Sequence, residues 1–327
     1  MLKSYVFLLS ICCTAVPAMA IADSYDPRSI DPKHVAEVSD VEVIDNTRNR
    51  IIPLRIYLPA QVDRHAVVLF SHGLGGSREG SSYLGRYWSA REYVVVFLQH
   101  PGSDESVWKG VPPAERMQAL QKAASFDAYI QRVLDVPAVL DQLGRWNEQK
   151  GHVLEGRLDL EAIGMSGHSF GAVTTQAVSG QSGAGGRQPF TDKRIDAAVI
   201  MSPSTPRQLL AQKAFSNVQI PWLLMTGTHD TAPIGNQDMA SRLAVFLALP
   251  TGSKYELVLD GAEHSVFTDR ALPGDAKSRN PAHHPAILAL STAFWDAWLL
   301  KNKSAKKWLD GDGPRSVLVA EDRWQVK

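Results

Sequence analysis

Ala162-Ile163-Gly164-Met165-Ser166 runs without a break into Gly167-His168-Ser169-Phe170-Gly171 and then into Ala172 to Val178. The first five residues form a short, dense apolar run, as a strand buried on both faces requires. The last seven have helical composition. Between them stands G-x-S-x-G, the pattern of a sharp strand-to-helix turn that lifts a serine above a sheet. So tight a turn demands small residues two before and two after the serine, and Gly167 and Gly171 meet that demand. The following helix aims the partial positive charge of its N-terminus at the turn, where it favours an oxyanion. The five residues alone are a weak signal. With a strand before and a helix after, they make Ser169 a candidate nucleophile.

Outward from the turn, the same strand texture recurs at Ala66 to Phe70, Tyr93 to Gln99, Ala197 to Met201, Trp222 to Thr226 and Tyr255 to Leu259. Helical stretches lie between these runs: Pro113 to Gly144, Met239 to Ala248 and Pro285 to Leu300. Within the first, Arg132 to Leu140 repeats apolar residues every three or four positions. Val41 to Asp45 and Ile51 to Leu58, on either side of Asn46 to Arg50, read as a hairpin. The expected fold is α/β, with a mostly parallel central sheet flanked by helices, an opening antiparallel hairpin and no large cap domain. No repeat is evident, and Ser179 to Gly186 is a Gly/Ser-rich loop, so residues 21–327 read as a single domain with an extended N-terminal arm over about 21–40.

The chain of 327 residues carries 34 Lys plus Arg against 34 Asp plus Glu and is 44% hydrophobic, an ordinary globular profile. A net charge of +0 argues against nucleic acid as a partner. Residues 1–20 differ from the rest. Lys3 supplies a positive start, Val6 to Val16 is an apolar run short of the ~20 residues a spanning helix needs, and Ala18-Met19-Ala20 is a small-x-small cleavage site. The expectation is a signal peptide, an exported protein in the periplasm or the medium, and no stable membrane anchor. Both cysteines, Cys12 and Cys13, fall in that segment, which leaves the mature chain without a disulfide, a zinc-thiolate site or a Cys nucleophile. The sequence carries no signal of oligomeric state.

A serine hydroxyl needs a base and an orienting acid, and on such a scaffold the chain order is Ser, acid, His. Asp230 closes the run from Trp222 and stands just beyond a strand's carboxyl end, where ligands of open α/β sheets gather. Asp238, beside a helix start, and Asp260, at the end of the next strand, compete with it. His264, in the expected loop Asp260 to Ser265, is the favoured base. His168 fills the variable position of the turn, His229 neighbours the acid, and the adjacent pair His283-His284 has no cluster of carboxylates or cysteines with it, so no catalytic metal is expected. His72-Gly73-Leu74-Gly75-Gly76 follows a strand, and its glycines let main chain approach a substrate closely. The expected oxyanion donors are the amides of Leu74 and Phe170. His100-Pro101-Gly102-Ser103-Asp104 is a candidate pocket lining or a plain turn, and Trp108 and Trp222 are candidate pocket aromatics or core.

Together, His72 to Gly76, Gly167 to Gly171, Thr228-His229-Asp230 and Glu263-His264 resemble the α/β-hydrolase superfamily over roughly residues 60–300. Phe70 to Gly76 and the Gly-His-Ser-Phe-Gly turn resemble the bacterial relatives of platelet-activating factor acetylhydrolase and predicted dienelactone hydrolases. Two departures stand out. The mammalian acetylhydrolases place their acid after the strand corresponding to Ala197 to Met201, where this chain has Ser202-Pro203. Asp230 is instead similar to the acid site of cutinases and bacterial polyester hydrolases. Dienelactone hydrolases proper use a Cys nucleophile, absent here. The resemblance implies a serine ester hydrolase acting on a small-molecule or lipid-like ester, with the triad Ser169, Asp230 and His264 and no cofactor. Amide or peptide hydrolysis, or a catalytically silent binding protein on the same scaffold, are the alternatives.

Overall fold

The strands His65–Ser71 (β3) and Val94–Leu98 (β4) show how the sheet is built. Val68, Phe70, Val95 and Phe97 face one hydrophobic cluster, while Val67, Leu69, Val94, Val96 and Leu98 face another. Side chains alternate across a strand, so a run that is apolar at every position must bury both faces. Each such side chain contributes about 1.5–3 kcal/mol of burial, enough to fix the register of every central strand.

The computed structural model describes residues 25–30, 34–232, 234–235, 237–271, 275 and 279–327. The expected leader 1–20 with Cys12 and Cys13 and parts of the expected arm lie outside the described residues. Among the described residues, nine strands form one sheet in the order β1-β2-β4-β3-β5-β6-β7-β8-β9. The other strands are Glu37–Asp45 (β1), Arg50–Leu58 (β2), Leu158–His168 (β5), Ile195–Met201 (β6), Trp222–His229 (β7), Lys254–Glu263 (β8) and Arg323–Val326 (β9). The stretch β4-β3-β5-β6-β7-β8 is parallel; β1 and β2 form the expected antiparallel hairpin, and β2 joins β4 antiparallel. The fold is α/β with a mostly parallel sheet.

Eight helices are described: Ser82–Ala90 (α1), Arg116–Ala123 (α2), Phe126–Glu148 (α3), Phe170–Val178 (α4), Ala211–Phe215 (α5), Met239–Ala248 (α6), His283–Trp298 (α7) and Lys303–Asp310 (α8). Side chains of α1, α7 and α8 cover one face of the sheet, and those of α3 to α6 cover the other. Among the described residues, no helix is long and apolar enough to cross a membrane.

Four expectations change. The single helix over 113–144 is two helices, broken before Ser125, whose hydroxyl accepts the Ala128 N–H at 3.0 Å and starts α3 anew. The arm is shorter than expected, because β1 already begins at Glu37. The loop Asp260 to Ser265 is largely strand: β8 continues to Glu263 past Gly261 (φ +67°), with a register shift against β7. β9 adds an antiparallel edge to β8 that was not expected.

Candidate active site

β5 ends at His168 and α4 starts at Phe170, so the whole reversal falls on Ser169. Its backbone sits at φ +59°, ψ −114°, a conformation that costs a non-glycine residue of order 1–3 kcal/mol. The Ser169 N–H donates to Met201 O at 3.0 Å, which pins the turn to the neighbouring strand. The flanking glycines are obligatory: a Cβ on Gly171 would meet Ser71 O at 1.8 Å, and one on Gly167 would meet Gly171 O at 2.4 Å.

The three side chains expected to act together do meet. His264 opens a short 3-10 turn, His264–Phe267, directly after β8, and its Nε2 lies 2.8 Å from Ser169 Oγ. Its Nδ1 lies 2.6 Å from Asp230 Oδ1. Asp230 is fully buried one residue beyond β7. Its other oxygen, Oδ2, accepts the hydroxyls of Ser202 at 2.7 Å and Thr226 at 2.8 Å. Burial by itself raises the Asp230 pKa, but the hydrogen bond and charge of His264, with Arg242 and Ser202, outweigh it and hold the group below the usual carboxylate range. An ionised carboxylate only accepts, so Nδ1 carries the proton and Nε2 is left bare towards the serine hydroxyl. Ser169 Oγ can therefore give up its proton to an imidazole whose positive form Asp230 stabilises.

Further residues secure this arrangement, and no sequence motif marks them for these roles. Arg242 of α6 is buried; its Nη2 lies 2.9 Å from Asp230 Oδ1, its Nε donates to Asp230 O at 2.7 Å, and its Nη1 donates to Ser202 O and Pro203 O. Nη2 also lies 3.2 Å from His264 Nδ1; both are donors, and both converge on the same carboxylate oxygen. His168 donates from Nε2 to His264 O at 2.9 Å. Burial, with the charge of His264, holds the His168 pKa well below its ordinary value, so that ring is neutral. The sequence carries only a slight signal of this: Arg242 stands four residues after Asp238 on the face of α6 that also carries Val245 and Phe246.

The competing acids have other tasks. Asp238 caps α6, accepting the Ser241 N–H at 2.9 Å. Asp260 is exposed, and its side chain meets Thr228 Oγ1 at 3.4 Å. His283 donates to Asp260 O and His284 to Val266 O, so the adjacent imidazoles serve separate carbonyls. Among the described residues no group of three or more His, Cys, Asp or Glu is placed to hold a metal.

The loop after β3 packs against Ser169: a Cβ on Gly73 would stand 3.3 Å from Ser169 Cβ. Gly75 N–H donates to Ser103 O and Gly76 N–H to Gly73 O, whereas no protein acceptor takes the Leu74 N–H among the described residues. The Phe170 N–H belongs to the first turn of α4, where helical amides have no partner within the helix. Trp108 is half-buried at this loop and donates from Nε1 to Gly75 O at 2.7 Å. The structure separates the alternatives left open for the pocket candidates. Trp222 is core, fully buried with its Nε1 on Ser179 O. His100 is also fully buried, between Ser71 Oγ at 2.8 Å and Asp135 Oδ2 at 2.9 Å, while Pro101 and Gly102 of the same segment line a cavity with Arg48, Arg50 and Gln131.

No protein-family model and no curated protein matches this chain.

Proposed function

We propose that this chain is a serine ester hydrolase with an α/β-hydrolase fold, exported to the periplasm or the medium by residues 1–20. One observation carries the reading: Ser169 Oγ, His264 Nε2, His264 Nδ1 and Asp230 Oδ1 form a continuous path with steps of 2.8 and 2.6 Å, and the serine is held in a strained turn. The chain order Ser, Asp, His and the placement of all three at strand ends support the α/β-hydrolase assignment.

Ser169 Oγ attacks the ester carbonyl carbon as its proton passes to His264 Nε2. The carbonyl oxygen becomes negative and takes the N–H groups of Leu74 and Phe170, each contributing roughly 3–4 kcal/mol to lowering the barrier. The C–OR bond then breaks, and the departing alkoxide takes the proton from Nε2. Water enters, gives a proton to His264, and attacks the acyl-enzyme. The acid leaves, and Ser169 regains its proton. No cofactor enters any step. The partner is a small-molecule or lipid-like ester, and the even charge balance gives no handle for nucleic acid.

Labelling by a fluorophosphonate, compared between wild type and Ser169→Ala, tests the reading together with a panel of nitrophenyl esters of rising chain length and their anilide counterparts. The expected result is labelling and ester turnover in wild type alone. Equal labelling of both proteins, or of neither, points to a binding protein. Anilides cleaved as fast as esters point to an amidase.

A further inference from the structure

α3 carries a fully buried arginine, Arg132, into the back of the site. Its Nε donates to Ser103 Oγ at 2.8 Å, and its Nη1 donates to His72 O at 2.8 Å and reaches Ser71 Oγ at 3.3 Å. Its Nη2 stands 3.4 Å from Gly73 O, and its Cζ lies 4.5 Å from the centroid of the Phe170 ring. All these oxygen partners are neutral. Asp135, one turn further along α3, is taken instead by Arg48, Arg50 and His100. Burying a cation without a hydrogen-bonded carboxylate is costly, so its position calls for a reason.

The reason lies in the peptide that joins Gly73 to Leu74. Its C=O and N–H belong to one planar trans unit and point in opposite directions. Whatever fixes Gly73 O therefore fixes where the Leu74 N–H aims. Gly73 O accepts His72 Nδ1–H at 2.6 Å and the Gly76 N–H at 3.0 Å. The His72 tautomer is set because its Nε2 accepts the His100 N–H at 3.1 Å. Arg132 grips the preceding carbonyl, backs this one, and lies over the ring of Phe170, the residue that supplies the other donor. A cation on the carbonyl side also polarises the peptide and strengthens its N–H as a donor.

We propose that Arg132 is a positioning residue of the oxyanion hole, locking the Gly73–Leu74 peptide and the Phe170 side of the turn so that the two N–H groups converge in front of Ser169. This rests on the reading of Ser169 as the nucleophile of an esterase.

The test compares wild type, Arg132→Met and Arg132→Lys as full chains, each shown to be folded by circular dichroism, with nitrophenyl acetate as substrate and an aryl trifluoromethyl ketone as inhibitor. Arg132→Met is expected to lose roughly 30- to 300-fold in kcat, in the range set by loss of one oxyanion donor, with KM within about threefold. The inhibition constant rises by the same factor as kcat/KM falls, since the bound ketone carries an oxyanion. Arg132→Lys, a single point donor, loses at least roughly tenfold and carries the test if Arg132→Met does not fold. A folded variant with kcat within threefold of wild type, or a loss confined to KM, overturns the inference and leaves the esterase reading standing. A wild type that neither turns over esters nor labels at Ser169 overturns both.

Discussion

Arg242 holds Asp230 at two points, with Nη2 2.9 Å from the carboxylate and Nε on the backbone carbonyl at 2.7 Å. The acid is thus fixed from the α6 side independently of the histidine it orients. Asp238, a competitor for the acid role on sequence grounds, caps the helix that carries this arginine. Removing the guanidinium leaves a buried carboxylate under-compensated, so Arg242→Met is expected to cost about 3 kcal/mol or more. Urea denaturation at pH 7 checks this; a loss under about 1 kcal/mol would show that His264, Ser202 and Thr226 suffice.

The interior is also sensitive to acid. Burial, reinforced by the nearby Arg132 charge and opposed by Asp135, pushes His100 down to about 4, against an ordinary value near 6.5. Between those limits the unfolded chain binds a proton that the folded one refuses, so stability falls as pH drops from about 6.5 to about 4. From pH 7 to pH 5 this one ring accounts for roughly 2 kcal/mol of loss. Asp135 and Asp230 are held below the usual range, so what they contribute is present above about 3.9 and lost below it. Denaturation of His100→Gln at pH 7 and pH 5 is expected to show a slope shallower by that amount, and slopes equal to wild type would refute the assignment.

The strand runs and the turn at Ser169 were legible because double-sided burial and a five-residue turn leave local signatures. Asp230 and His264 were legible because each stands directly after such a run. What escaped depends on distant partners. α1 starts where Asp269 accepts the N–H groups of Ser82 and Tyr83 from far along the chain, and its Gly85 fits against the ring of Tyr57. Arg132 and Asp135 share the buried face of α3 with Val136 and Val139, but an apolar-period count scores charged residues as solvent-facing. Their burial follows from a network with Ser71, His72 and His100 that only the assembled sheet brings together.

Two glycine substitutions separate packing from backbone strain. At Gly171 an added Cβ would meet the Ser71 carbonyl at 1.8 Å, backbone against backbone with nothing flexible to yield. Gly171→Ala is expected to cost more than about 3 kcal/mol and to abolish turnover. Gly102 has φ +88° and open space around its Cβ position, so Gly102→Ala bears only the left-handed penalty of about 1–2 kcal/mol. Thermal melting ranks the two, and similar shifts would contradict the close approach of β3 to α4.

The acid site invites a transplant. Ser202 follows β6, the strand beside β7, and its Oγ lies 2.7 Å from Asp230 Oδ2. Ser202 has φ +63°, a region that aspartate enters more readily than most residues. Asp230→Asn alone removes the partner that holds the productive tautomer of His264, and a loss of about four orders of magnitude in kcat is expected. Adding Ser202→Asp returns a carboxylate to the same cluster, where the side-chain amide introduced by Asp230→Asn can donate to it. The double variant is expected to regain at least roughly tenfold over Asp230→Asn, a gain of about 1.4 kcal/mol in the barrier. Ser202→Asp with Asp230 retained crowds two carboxylates together and raises the pKa of one of them, so that single variant is less stable than wild type at neutral pH. Nitrophenyl acetate kinetics on all three decide the matter: no recovery in the double variant would mean that the imidazole can be oriented only from the end of β7.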